Sequence, residues 1–180
     1  MRVARRPDRL RGERGMTLVE LCVVIVIIGI LLVVAVSSLL RARVAANETS
    51  AIGALKSINT AQIAYSSSCG SGSFASSLVI LGRKPAGNSQ GYVTEYLAGS
   101  ASPTHGGYRF NVGLGAKAAV GPNDCNNEAT ITNYYAVAIP TAPGQTGSRA
   151  FATSQRAGIY QLPGALPPPE PFGPPSQPAQ

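Results

Sequence analysis

The residues of this 180-residue chain that could do chemistry are few and lie far apart. Asn123-Asp124-Cys125-Asn126-Asn127-Glu128 brings oxygen side chains into one short run, the ligand type a calcium ion takes. Its spacing matches no calcium loop, and Asn/Asp turn chemistry accounts for the same residues. His105 is the single histidine and falls in a Pro/Gly-rich stretch, where solvation is the plain reading. Gly113-Leu114-Gly115-Ala116-Lys117-Ala118 has part of a dinucleotide-loop pattern. It lacks the third glycine, the following helix and the acid about twenty residues on, so a Gly-rich hairpin is expected. The pattern contains no paired carboxylates, no nucleophile beside a base and no metal-ligand cluster. The chain is therefore read as a non-enzyme without cofactor or metal.

Charge gives a second screen. The formal net charge is +7, but the first fifteen residues hold six arginines against Asp8 and Glu13, a net +4. The other 165 residues carry nine Lys/Arg against six acids, only +3. The basic balance is thus largely a property of a short leader. Arg83, Lys84, Arg109, Lys117, Arg149 and Arg156 would be the residues of a DNA-binding patch, yet scattered solvated charge is the simpler reading and no nucleic acid is assumed. Tyr65, Tyr92, Tyr96 and Tyr108 are read as packing residues, since aromatics make up 6% of the chain and there is no Trp.

Two features ask for a structural setting. Glu20 is an ionisable carboxylate at the head of Leu21-CVVIVIIGILLVVAVSSLL-Leu40, a run without another charge. A helix over Thr17–Leu40 has 24 residues. At about 1.5 Å per residue it is roughly 36 Å long, enough for a bilayer core of about 30 Å. An acid at mid-membrane costs roughly 2.5–3.5 kcal/mol, less near the interface, so Glu20 is expected to have a partner. The basic segment in front sets the topology: N-terminus cytoplasmic, everything after Leu40 outside. Cys22 lies in the span, while Cys69 and Cys125 both fall on the exported side, where disulfides persist. A Cys69–Cys125 bridge is expected over two free thiols. It would close a loop of roughly 55 residues, worth about 4 kcal/mol in the chain-entropy model.

The elements that position these residues follow from periodicity. No proline or turn cluster stops the helix at Leu40. It runs on to Tyr65 and turns amphipathic, with Val44, Ile52, Leu55, Ile58 and Tyr65 on one stripe and Arg41, Arg43, Glu48 and Lys56 around it. Gly70 and Gly72 end it. Residues 74–107 read mostly as loop, with short elements at Phe74–Leu81 and Tyr92–Leu97. After Gly107 the period changes to two, predicting strands at Tyr108–Leu114, Thr132–Ile139, Ser148–Thr153 and Gly158–Gln161. The segment from Leu162 has eight prolines and no periodicity, and is expected to be a disordered, polyproline-like tail.

Gly15-Met16-Thr17-Leu18-Val19-Glu20, followed directly by the apolar run, closely resembles the class III signal of type IV pilins and type II secretion pseudopilins. The shared features are a basic leader ending in Gly, a hydrophobic first mature residue, Thr-Leu, and an acid five residues after the cut. Ala45–Tyr65 and Gln145–Ile159 are similar to a common bacterial pilin-like subgroup. The resemblance implies an α+β, pilin-like fold in which one long N-terminal helix packs on a four-stranded antiparallel β-meander. Its parts would be a cytoplasmic leader (1–15, removed), a membrane and filament-core helix half (16–40) and an amphipathic half (41–66). A loop region (67–107), the sheet (108–161) and the tail (162–180) follow.

The resemblance further implies cleavage after Gly15 by a prepilin peptidase, N-methylation of Met16 by the same enzyme, and a role for Glu20 in registering subunits. The implied partners are other copies and other pilins in a filament, an inner-membrane assembly platform and membrane lipid. The implied location is the bacterial inner membrane, single-pass, then an extracellular or periplasmic filament. A type IV pilus subunit is the first reading, a pseudopilin the second, and a non-filament signal-anchored periplasmic protein the third. An ordinary signal peptide cut near Ala35-Val36-Ser37 fits poorly, because the helical pattern runs through that site. The chain departs from many relatives in having Met16 for Phe, Ser37-Ser38 for a kinking proline, and a cysteine just after the helix.

Overall fold

A computed structural model describes residues 15–85 and 87–179, so the expected leader lies outside the described residues except for Gly15. Helix α1 runs from Leu18 to Ser68 with Gly29 and Gly53 as its only glycines and no proline. It continues through Ser37-Ser38 in helical conformation. It stops where Ser71 and Gly72 take positive φ, and the Cys69 and Gly70 N–H groups both bond back to the Tyr65 carbonyl. The chain divides into two compact units, one ending at Leu39 and one beginning at Leu40, so α1 contributes to both.

Within the second unit the remaining elements follow in order. They are β1 (Phe74–Ala75), α2 (Leu78–Gly82), α3 (Glu95–Ala98), β2 (Thr104–His105), β3 (Tyr108–Leu114) and β4 (Val120–Asn123). Then come β5 (Ala129–Ile131), β6 (Tyr134–Pro140), β7 (Arg149–Ser154), β8 (Ile159–Pro163) and β9 (Gln177–Pro178). All pairings between them are antiparallel. They form a three-stranded sheet, β1-β5-β4, and a six-stranded sheet, β2-β3-β6-β7-β8-β9.

The α+β class and the long helix agree with the sequence reading, but the four-stranded meander does not stand as expected. The four expected strands lie side by side as β3, β6, β7 and β8 inside a wider sheet. Between β3 and β6 the chain leaves to build β4 and β5 of the second sheet. Those strands are short and weakly alternating, and β4 contains Gly121 and Pro122, so period-two reasoning passes over them.

The Pro-rich tail is a second correction. Rather than being disordered, it lies on the sheet: β9 pairs with β8, setting Pro178 opposite Tyr160 and Gln177 opposite Gln161. An outermost strand tolerates proline because the missing N–H costs nothing on the open side. Phe172 stacks on Tyr160 with centroids 4.3 Å apart, and the Tyr135 hydroxyl donates to the Pro168 carbonyl at 2.5 Å. One aromatic stack and one hydroxyl-to-carbonyl bond in a proline-rich segment carry no alternation, so the sequence shows no trace of this contact.

The core of the second unit is one cluster. Ala51, Ala54, Leu55, Ile58, Ala61 and Tyr65 of α1 meet Tyr108, Phe110, Val112, Tyr134, Ala136, Ala138 and Phe151 of the large sheet, with Leu78, Leu81 and Leu97 filling one end. Phe151 pairs with Ala138 across the β6–β7 ladder, a large ring beside a small side chain, which lets the sheet and helix close together. Val44 and Ile52 are only partly buried, and Leu114 is exposed rather than sharing the face of Val112.

The helix therefore has an inner and an outer apolar residue five positions apart, Ile58 fully buried and Ile63 more than half exposed. Ile58→Ala should cost about 2–5 kcal/mol of stability, whereas Ile63→Ala should stay within about 0.5 kcal/mol. Chemical denaturation of the full chain in detergent, followed by tyrosine fluorescence, measures both.

Candidate functional site

The start of α1 is built by its own sequence. Thr17 precedes the first helical residue, its Oγ1 accepts the Glu20 N–H at 3.2 Å, and its carbonyl accepts the Leu21 N–H. Thr17 is thus the N-cap, and Thr17-Leu18-Val19-Glu20 has the spacing of a capping box. That signal was present in the residues and escapes notice when they are read only as a processing signal. Gly15 and Met16 lie before the helix and are exposed. A side chain built on Gly15 would meet nothing within 4 Å. The Glu20 side chain is exposed, and among the described residues it makes no ion pair.

The first half of α1 has no apolar face in the usual sense, because all sides are apolar and bare. Ile30, Leu31, Leu32 and Val33 are each more than half exposed. Consecutive residues on a helix point about 100° apart, so these four cover its whole circumference. Such a surface needs lipid or other helices around it. Among the described residues this is the one helix long and apolar enough to cross a membrane.

In the second unit, polar residues decide how α1 meets the sheet. Glu48, expected among the polar positions around the stripe, is instead buried. Its Oε1 accepts the Ser148 N–H at 2.8 Å and the Ser148 hydroxyl at 2.6 Å. Its Oε2 accepts Arg149 Nε at 2.9 Å and Nη2 at 2.5 Å. Arg149 also donates to Gln161 Oε1 at 2.7 Å. Burial pushes the Glu48 carboxyl up, but the hydrogen bonds from Arg149 and Ser148 outweigh it and hold the group below the usual range. Arg149 is therefore paired with Glu48, and Arg83 pairs with Glu128, so two of the six cations considered for a DNA patch are engaged by carboxylates.

Two buried amides on the same stripe were invisible to a search for apolar periodicity. Gln62 gives Nε2 to the Ala75 carbonyl and accepts the Ala75 N–H, both at 2.9 Å, and so serves β1 as a strand neighbour. Asn59 Oδ1 accepts the Tyr134 hydroxyl at 2.8 Å, and its Nδ2 donates to Thr153 Oγ1 at 2.9 Å.

Cys69 and Cys125 are bonded, with their Cα atoms 4.8 Å apart, and Cys22 is a free thiol on the exposed part of α1. Beside the bridge, Asp124 Oδ1 accepts the N–H groups of Asn126 and Glu128, and Oδ2 accepts the Tyr65 hydroxyl at 2.7 Å. The Asp124 oxygens are thus engaged by protein donors and the run is a turn, as its composition suggested. Burial raises the Asp124 carboxyl, yet these donors, Tyr65 first, hold it below its ordinary value. Burial and the Asp124 charge push the Tyr65 hydroxyl up. Tyr65 and Tyr108 are core residues, whereas Tyr96 is exposed with His105 4.3 Å from its ring centre. Gly113–Ala118 lies at the end of β3 and in the turn after it.

Residues 10–36 match the family model described as the prokaryotic N-terminal methylation motif. The match spans the Gly15–Met16 junction, Glu20 and most of the apolar run. It supports a type IV pilin-like or pseudopilin protein, implies processing by a prepilin peptidase, and with the apolar helix suggests a membrane-anchored bacterial protein. No curated protein and no solved structure matches the chain.

The Glu48 geometry has a pH consequence. A carboxyl held below its unfolded value of 4.5 contributes stability that is present above that pH and lost as pH falls through the folded value. Unfolding free energy of the native chain should fall on acidification below about pH 4.5. Glu48→Gln should be less stable at pH 7 and show a shallower acid limb, read from denaturation curves between pH 7 and 3.

Proposed function

We propose, from the methylation motif and the bare helix that follows it, that this chain is a structural subunit of a type IV pilus-like filament. It is inserted in the inner membrane with its N-terminus in the cytoplasm, cleaved after Gly15, N-methylated on Met16 and then polymerised. The observation that carries the reading is the pairing of two features: an apolar helix surface exposed around its circumference and, at its head, a Glu20 carboxylate without an ion-pair partner among the described residues. Lipid covers the first before assembly, and neighbouring helices cover it afterwards.

Cutting after Gly15 creates an ammonium on Met16, four residues from Glu20. In a bundle of helices, a neighbour's Met16 ammonium supplies Glu20 with a partner charge. Burying the pair need not add net stability, but leaving either charge unpaired costs several kcal/mol, which penalises wrong registers. The Cys69–Cys125 bridge and the folded second unit suit life outside the cytoplasm. A pseudopilin of a type II secretion system uses the same helix and the same processing, and is the competing reading. A non-filament periplasmic anchor is the third.

Mass spectrometry on sheared surface filaments and washed membranes tests this. The expected species begins with N-methylated Met16, carries the Cys69–Cys125 bridge and dominates the sheared fraction. Retention of that species in membranes favours a pseudopilin or minor pilin, and a chain beginning at Met1 or Ser38 overturns the assignment. Glu20→Val should still insert and be cleaved but give far fewer filaments; normal yield would remove the registering role.

A further inference from the structure

We propose that the cavity between the β3–β4 turn, the β7–β8 turn and the Pro-rich tail binds an acidic saccharide. The cavity has a volume of about 450 Å³ and is lined by Lys117, Arg156, Glu170, Asn133, Tyr160 and Phe172, among others. That volume lies within the range of small-ligand sites, roughly 300–1,000 Å³.

Its cations stand apart from those elsewhere in the fold. Arg83 and Arg149 are committed to carboxylates, but among the described residues neither Lys117 nor Arg156 makes an ion pair. Both are exposed, and both are carried on braced turns. Next to Lys117, the Ala116 N–H donates to Glu170 Oε2 at 2.5 Å, and the Ala116 carbonyl accepts Asn133 Nδ2 at 2.9 Å. Lys117 itself has φ +58°, so its position depends on that bracing. Next to Arg156, the Ala157 N–H donates to the Ser154 carbonyl, and the Ala157 carbonyl accepts Asn59 Nδ2 from the core at 3.2 Å. The backbone of the two turns is thus held in place before any ligand arrives, which lowers part of the ordering cost of binding.

The rest of the lining narrows the ligand. Tyr160 and Phe172 bring a stacked aromatic pair, and Glu170 brings an acceptor carboxylate beside the cations. A sugar acid uses all three in one ring: its carboxylate meets the guanidinium and ammonium, its hydroxyls donate to Glu170, and its C–H face lies on an aromatic ring. Inorganic phosphate would use the cations alone. An acidic peptide or a DNA strand carries few hydroxyls to donate to Glu170, which a sugar acid supplies on every ring. The tail supplies Glu170 and Phe172, so its placement on the sheet creates the site. The binding test does not depend on the filament reading, which would fail separately.

The experiment is calorimetric titration of the disulfide-bonded full chain in detergent with trigalacturonate and with its neutral methyl ester. Trigalacturonate should bind, and the ester should bind at least about tenfold more weakly, the loss expected for one charge-assisted hydrogen bond. Lys117→Asn, which tolerates the left-handed backbone, and Arg156→Gln should each weaken trigalacturonate binding by at least about tenfold without changing thermal unfolding. The ester comparison needs no variant and stands even where one misfolds. Absence of binding, equal binding of acid and ester, or tighter binding of a glutamate-rich peptide or inorganic phosphate would overturn the proposal.

Discussion

An apolar helix surface has to be covered, and α1 leaves two halves to be covered by different means. From Leu40 onward, one stripe of the helix is sealed by the sheet of its own chain, with Leu55 and Ile58 at zero exposure. Before Leu40 the helix is apolar all round, and among the described residues of its own unit none covers it. A sheet can seal one stripe but not a circumference, so the first half requires a surrounding medium. Membrane insertion and filament packing are the two conditions that supply one.

Given that constraint, the polar residues on the buried stripe become informative. Glu48, Asn59 and Gln62 interrupt an apolar seam at a cost each must recover through hydrogen bonds, and each does so with a different partner. Glu48 reaches the start of β7, Asn59 reaches β6 and β7, and Gln62 reaches β1. Apolar contact alone would let α1 slide or rotate on the sheet. A buried carboxylate that must meet Arg149 and Ser148 permits one register, since a slip of one turn would strand a charge. At the far end, the Cys69–Cys125 bridge and the Tyr65–Asp124 hydrogen bond tie the small sheet to the end of the same helix.

The tail works on the opposite edge. β8 would otherwise expose a ladder of unpaired backbone groups, an invitation to pair with other chains. β9 covers it with a short proline-containing strand that cannot itself extend the sheet readily. The same wrapping brings Glu170 against the β3–β4 turn and Phe172 against Tyr160 of β8, so protection of an edge and formation of a cavity go together.

Much of this was legible in the residues. The unbroken apolar run, Glu20 at its head and the Gly-Met junction specify the helix and its processing motif, because those depend on local spacing and hydropathy alone. The paired cysteines and the alternation of Tyr108, Phe110 and Val112 were equally open to reading. What tertiary structure alone decided was every property that depends on which residues of separate elements meet, from a dozen to about a hundred positions apart. Glu48 became a buried pin because Arg149 arrives beside it. The tail lies on the sheet where Tyr160 and Tyr135 meet it, and β4 and β5 form a second sheet with β1 whose connecting turn is tied to the end of α1 by the Cys69–Cys125 bridge. Local pattern records what a residue prefers. Only the folded chain determines whether a charge finds its partner.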